Sequence, residues 1–481
     1  MITCSTCYFV KRLPLLVALF LSANGFAQNL LGISTNKRGG TNRLYINPAL
    51  AADSPDRFYV NVATGNLHLD NNYVRYQAPF SLLSYLTGSV PQQYKNADGS
   101  VRFTTEYTKE NLDGRPKNGT LQGEVRGPSF LTRVGERSAV AVTTRFRAVG
   151  QLTGASQGLL SALRAGLDDG ALYGIPSSNN QFSAGTNTFS ELGLTYATTI
   201  WETDGRKLLL GVTGKAMLGY NAQFLLNRGL DFGIIVDPNN SNRALLEVNR
   251  LDATLSYTNF LQNRSLGLGT LVSPSVPGFG VGADVGFTYV SQYDQDSPAL
   301  QLGLAVTDIG GLRYKGEQYT YADVREQPVV FSSADFAGKN GSLQTIQVIQ
   351  DKFTTGRSPD KNSFRVGLPT SINLSLDYQL PGGAGINVTM LQDVRSGQAM
   401  ATHQPSLVAV TPRYNKQWLS LALPIAYLNR GIVVGTSVQL GPVWLGTDNL
   451  LGLIGNTGNG IRPRGLDVYG GIAFGIGRDR Q

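Results

Sequence analysis

Cysteine is nearly missing from this chain: two among 481 residues, Cys4 and Cys7. Both precede Lys11-Arg12, the apolar run Leu13–Leu21 and the small residues Gly25-Phe26-Ala27. A basic start, a short apolar core and a small-x-small exit have the layout of a secretory leader, and nine apolar residues are too few to span a bilayer. Cleavage after Ala27 is expected, so the mature chain keeps no thiol, disulfide or thiolate metal site. Histidine is as scarce. His68 and His403 stand far apart and in no metal-ligand spacing, and no Walker loop or H-E-x-x-H is present. We therefore expect no cofactor, no metal and no enzymatic activity.

Charge is also low, at 15% of residues. The net +8 falls to +6 when Lys11 and Arg12 leave, and the basic residues are scattered rather than clustered. A scattered balance in an exported chain does not read as a nucleic-acid surface, and no nucleic acid is expected as a partner. After the leader, no run approaches the ~18 apolar residues of a transmembrane helix. Removing 27 of 481 residues leaves 454 without a Pro-rich tract or a Ser/Gly linker.

Glycine and aromatics are what the chain has in plenty: 57 Gly, 21 Tyr and 20 Phe. They sit in a pattern of period two. Val281, Ala283, Val285, Phe287 and Tyr289 alternate with Gly282, Asp284, Gly286 and Thr288, and a turn is expected at Asp294–Ser297. Leu300, Leu302, Leu304 and Val306 then alternate with Gln301, Gly303, Ala305 and Thr307. The same alternation carries Val140–Ala148, Leu192–Ile200, Leu208–Leu218, Thr370–Tyr378, Leu419–Ile425, Ile432–Val438 and Leu466–Ile476. Successive side chains of a strand face opposite ways, so each strand has one apolar face and one small or polar face.

The polar face carries Arg145, Arg147, Lys215, Asp284, Asn373 and Asp377. A dry sandwich core would not hold such charges unpaired, whereas a barrel lumen would. Strands of ~10 residues or more exceed the usual five or six of soluble sheets and suit a tilted membrane strand. Without spanning helices, only a closed barrel satisfies its backbone in hydrocarbon. The expected fold is all-β, a transmembrane antiparallel barrel of about 14 strands in the outer membrane of a Gram-negative bacterium, reached by the general secretory pathway. The expected division is a leader over 1–27, a lumenal hatch segment over 28–56 and the barrel over 57–481. Three stretches break the period: 72–118, 154–174 and 316–362. Leu159, Leu160, Leu163 and Leu167 have helical spacing, while Phe331 and Ile346 are expected in short strands. The first two are read as partly helical external loops, with a plug inside the lumen as the alternative, and the third as a long insert.

Asn47-Pro48-Ala49, just ahead of a strand opening Arg57-Phe58-Tyr59, resembles the FadL-like outer-membrane barrels, which include fatty-acid transporters and the shuttle barrels of type IX secretion. The stretch Gly280–Gly286 with Leu302–Leu304 and Thr307-Asp308-Ile309-Gly310 resembles paired strands of that group. Gly441–Leu451, with Trp444, Gly446, Asp448 and Asn449, is similar to a late-strand motif of an uncharacterised family of such barrels, domain of unknown function 5723. The resemblance implies about 14 strands and an N-terminal segment in the lumen, with Asn47, Pro48 and Ala49 as its hatch motif. It does not settle function. Two roles follow as expectations: a structural or partner-binding barrel, such as a secretion-linked shuttle or scaffold, with a protein held at the external loops; or transport of small hydrophobic or amphiphilic solutes. Outer-membrane lipid is the expected surrounding in both.

Overall fold

The computed structural model describes residues 30–478, except 166, 168–169, 262–268, 270–272, 274, 293–296, 326–327, 338–341, 355–357 and 429–430. The leader and most of the Asp294–Ser297 turn lie outside the described residues.

One antiparallel sheet closes on itself as a barrel of 14 strands. In chain order these are β1 (Asp56–Asn71), β2 (Lys117–Arg126 and Ser129–Val134), β3 (Ser138–Ala155), β4 (Ser177–Thr203) and β5 (Arg206–Asp237). Next come β6 (Asn240–Tyr257 and Gly278–Ser291), β7 (Ala299–Val324 and Val329–Ser332) and β8 (Lys361–Gly367 and Ser371–Gln379). Then follow β9 (Ala384–Asp393), β10 (Leu407–Lys416), β11 (Leu419–Ala422 and Ile425–Leu428), β12 (Gly431–Val434 and Thr436–Leu440), β13 (Val443–Thr447) and β14 (Leu466–Arg478). Each strand pairs with its sequence neighbour. β1 closes the ring on β14, from Asp56 opposite Arg478 to Leu69 opposite Leu466. A closed ring leaves no edge to satisfy in lipid.

The two faces separate as the period of two requires. Val281 is 64% exposed and Phe287 42%, while Asp284 and Thr288 on the same strand are 1%. Leu192, Leu194, Val212, Leu302, Leu304, Leu374 and Leu376 extend this outward apolar belt. Short turns at 135–137, 204–205, 380–383, 417–418 and 441–442 share one end with both chain ends of the ladder. Exposed Phe58, Phe130, Tyr196, Trp201, Tyr378 and Trp418 ring that end, where an aromatic girdle meets the headgroups. The long connections 72–116, 156–176, 333–360 and 448–465 gather at the other end, which is the outer one by the same rule.

β4, β5 and the first piece of β7 have 27, 32 and 26 residues, far more than a membrane crossing of ~10 needs. Their outer halves form a sheet beyond the belt, on which helices Gln157–Ala165 and Ser342–Thr354 pack through Leu159, Phe182, Phe232, Tyr321, Phe331 and Val348. Phe331 lies in a short strand as expected. Ile346 does not: Ile346, Ile349 and Phe353 recur at helical spacing and join that cluster from a helix.

Candidate functional site: a closed lumen

Eight-stranded barrels fill their interior with side chains, while those of about 16–18 strands keep a water channel. A ring of 14 therefore needs something more than side chains if it is to be shut. Residues 30–55 supply it. They start at the outer end, where the Leu31 amide donates to Asp448 (3.0 Å) and the Gly32 amide to Tyr469 (3.2 Å). Further down, Asn36 donates to Ser420 on β11 (2.6 Å) and Arg413 on β10 donates to the Thr35 carbonyl (2.7 Å). Asn373 on β8 donates to the Ile46 carbonyl (2.9 Å), and Gln301 on β7 to Asp53 (2.6 Å). The segment thus bonds to strands all round the ring.

Asn47, Pro48 and Ala49 occupy the wall between β5, β6 and β7. The Asn47 side chain donates to the Phe287 carbonyl (2.9 Å) and to Thr288 (3.1 Å), and it accepts from the Ala49 amide (3.0 Å), capping the turn Pro48–Ala51. Glycines on the wall make the room. A Cβ at 286 would stand 2.1 Å from the Asn47 Oδ1, and one at 211 would stand 2.3 Å from the Ala49 nitrogen. Gly286→Leu is therefore expected to dislodge the turn and expose Arg38 and Arg43 to trypsin from the inner end. N-terminal sequencing of the fragments checks this, and a variant as resistant as the parent would contradict the packing.

Beside this segment lies a cluster of eight buried charges, drawn from six consecutive strands: Glu124 and Arg126 (β2), Arg145 and Arg147 (β3), Glu191 (β4), Lys215 (β5), Asp284 (β6) and Asp308 (β7). Four cations meet four anions, so the cluster is neutral. Arg145 grips Glu191 through two hydrogen bonds (2.7 and 2.8 Å) and reaches Asp308 (3.3 Å). Arg147 bonds Asp308 (2.8 Å), and Lys215 bridges Asp284 (2.7 Å) and Asp308 (2.5 Å). Arg126 pairs with Glu124. The ring of Tyr45, from the N-terminal segment, sits between the guanidiniums of Arg126 and Arg145 (4.3 and 4.4 Å), a cation–π clamp on both faces.

The structure thus brings Arg145, Arg147, Lys215 and Asp284 together, but not Asp377. That residue belongs to a second group, paired with Arg413 and Asn387 (3.1 Å) on β10 and β9. The sequence reading missed Asp308, the acid that three cations share. Asp308 has φ +55°, rare for a non-glycine residue, and the β6–β7 register shifts between Ala283 and Val285, opposite the stretch that holds it. A bulge re-aims side chains out of the plain alternation, so period two could not place it. The only available signal was the Thr307-Asp308-Ile309-Gly310 motif itself.

One further motif fits by spacing alone. Gly154-Ala155-Ser156-Gln157-Gly158 has the G-x-S-x-G form at a strand-to-helix turn. Yet the Ser156 hydroxyl accepts from the Leu159 amide (3.3 Å) as a helix cap. Histidines 68 and 403 are paired elsewhere, with Asp467 and Asp393. No Ser–His pair forms among the described residues.

The fold and site define a transmembrane antiparallel barrel with residues 30–55 bonded along the inside of its wall. Residues 48–448 match the family of unknown function DUF5723, so the chain belongs to that family. No curated protein matches the sequence. Among solved structures, a mutant of the TodX monoaromatic hydrocarbon channel is 10% identical, with 90% of this chain and 94% of that chain covered at a TM-score of 0.42. A FadL homologue of Pseudomonas aeruginosa is 11% identical over 93% and 98%, with a TM-score of 0.29. The Escherichia coli outer-membrane protease OmpT is 8% identical over 87% and 95%, at 0.24. Likeness at this level carries no argument about ligand or reaction.

Proposed function

We propose that this is a Gram-negative outer-membrane barrel that works as a scaffold or shuttle, closed to solutes at rest and holding another protein at its outer face. The observation that carries this reading is that residues 30–55 and a neutral cluster of buried charges lie together on the inside of the wall. The outer face offers a place for a partner. Helix Leu82–Leu86 touches helix Leu450–Ile454, and Leu83, Tyr85, Leu86, Leu451 and Ile454 stand exposed on the pair. Grouped exposed apolar side chains mark an interaction surface.

The test is gentle purification from the native outer membrane, with co-purifying chains and lipids both identified by mass spectrometry. A stoichiometric protein, lost from Leu83→Asp and Leu451→Asp variants that still fold, is the expected result. An enriched fatty acid or other small amphiphile with no protein would reverse the assignment.

That reversal has its own support, and it is the second reading: passage of small hydrophobic or amphiphilic solutes. Phe189, Met217, Leu312, Phe364, Val366 and Leu368 form a buried apolar layer next to the charge cluster. It lies where β6 is in two pieces, with Tyr257 opposite Gln223 but Gly278 opposite Gly219. An apolar layer beside this insertion in β6 suits a small apolar solute held inside the barrel.

A further inference from the structure

The outward face of β7 changes character above the apolar belt. Leu302, Leu304 and Ile309 belong to the belt, but the next exposed side chains are Arg313 and Lys315. On β8 the same change sets Arg365 and Lys361 above Ile372 and Leu374. Arg313 and Arg365 are direct cross-strand partners, and both are exposed. Leu312, Tyr314, Phe364 and Val366, on either side of them, are buried. The arginine pair therefore points away from the lumen. Phe279 on β6 stands opposite Arg313 in the other ladder and is 60% exposed.

Like charges directly opposite one another in a ladder are unfavourable. Here no acid of the chain offsets them. Arg313 donates to the Ser363 hydroxyl (3.1 Å), and none of the four cations forms an ion pair among the described residues. The acids nearby have other partners: Glu317 accepts from Tyr257 and Tyr319 (2.5 and 2.9 Å), and Asp360 from the Thr320 amide (2.7 Å). An anion from outside the chain would turn the repulsion into a shared attraction, and the arginine fork matches phosphate best.

Height decides where that anion comes from. Leu300 stands opposite Tyr378, in the aromatic girdle of the inner end. The residues from there to Arg313, at ~3.4 Å each and a tilt of ~40°, climb roughly 30 Å. The apolar band of such barrels is ~25 Å tall, so the arginines stand at the headgroups of the outer leaflet. We propose that Arg313, Lys315, Arg365 and Lys361 bind the phosphates of the outer leaflet's glycolipid (its lipid A part), with Phe279 and Ile309 against the acyl chains. The assignment rests on the outer-membrane reading above and not on the scaffold role. Its test uses purified protein without a partner chain, so the two can fail separately.

The detergent-folded protein is titrated with fluorescent lipid A, and with the same lipid after removal of its phosphates, at low ionic strength. The parent is expected to bind the phosphorylated lipid roughly tenfold or more tightly. The double variant Arg313→Gln/Arg365→Gln is expected to lose most of that preference. Both changes lie on the exposed face, and the unfolding temperature checks that the barrel is intact. Equal affinity of the parent for the two lipids overturns the proposal, and so does a folded double variant that keeps the full preference. Displacement of lipid A by an equal concentration of inorganic phosphate would overturn the lipid assignment. Should the double variant not fold, Lys315→Gln/Lys361→Gln takes its place, read by the same preference.

Discussion

Asp308→Ala is expected to destabilise the barrel by about 3–5 kcal/mol, the cost of removing one partner from a buried ion pair. The reason is its place in the network. Arg145, Arg147 and Lys215 all bond Asp308, and each is about 5% exposed or less at the side chain. Without it the cluster of four cations and four anions becomes positive by one charge among buried side chains. Arg145 keeps Glu191 and Lys215 keeps Asp284, but Arg147 loses its one short acid contact. Asp308→Asn keeps the shape and part of the hydrogen bonding but still loses the charge, so it should fall between the parent and the alanine variant. Urea unfolding of the detergent-folded protein, followed by tryptophan emission, measures both. A midpoint for Asp308→Ala within error of the parent would show that the charges are screened by water, and that the lumen here is wet. Salt separates the same cases: a dry cluster is barely screened at the ionic strengths that suppress surface pairs.

How far the sequence led is clear from these same residues. Period two placed Arg145, Arg147, Lys215 and Asp284 on the inner face, and it placed Val281 and Phe287 on the outer one, because a closed barrel holds each strand to strict alternation. It could not say which inward charges meet. Contacts within the ring depend on strand stagger, which no single strand encodes. That is why Asp377 looked equivalent to Asp284 but lies with Arg413. Glu124, Arg126 and Glu191 were missed because one or two charges in a strand of mixed polar residues stand out only beside their partners. A lumenal segment over 28–56 was expected only through the resemblance that Asn47-Pro48-Ala49 carries. Its course through the lumen was not legible, since residues such as Leu31 and Ile46 read locally as ordinary loop.

Deleting residues 30–54, with residues 1–29 retained, is expected to give a barrel that passes ions in discrete steps across a planar bilayer where the parent stays silent. The wall does not depend on the deleted segment for closure, since the β1–β14 ladder runs unbroken in partner order from Asp56 to Leu69 with one register shift. What the segment leaves behind is polar: Asn373, Gln301, Ser420, Asn415 and Thr288 each lose a partner and would take water in its place. A 14-strand ring lined in that way is nearer to the porin case than to the side-chain-filled case of eight strands. The charge cluster should survive, because its acids and bases pair with one another, and the deleted residues add to it the Tyr45 ring and Asn42, which accepts from Arg126 (3.2 Å). Tyr45→Ala is the finer version of the same test. It removes the clamp between Arg126 and Arg145 at a cost of about 1–2 kcal/mol, and it should give brief openings rather than a standing conductance. A folded deletion variant that stays silent would mean that the wall collapses inward or that the outer loops close the barrel by themselves, and residues 30–55 would then be lining rather than plug.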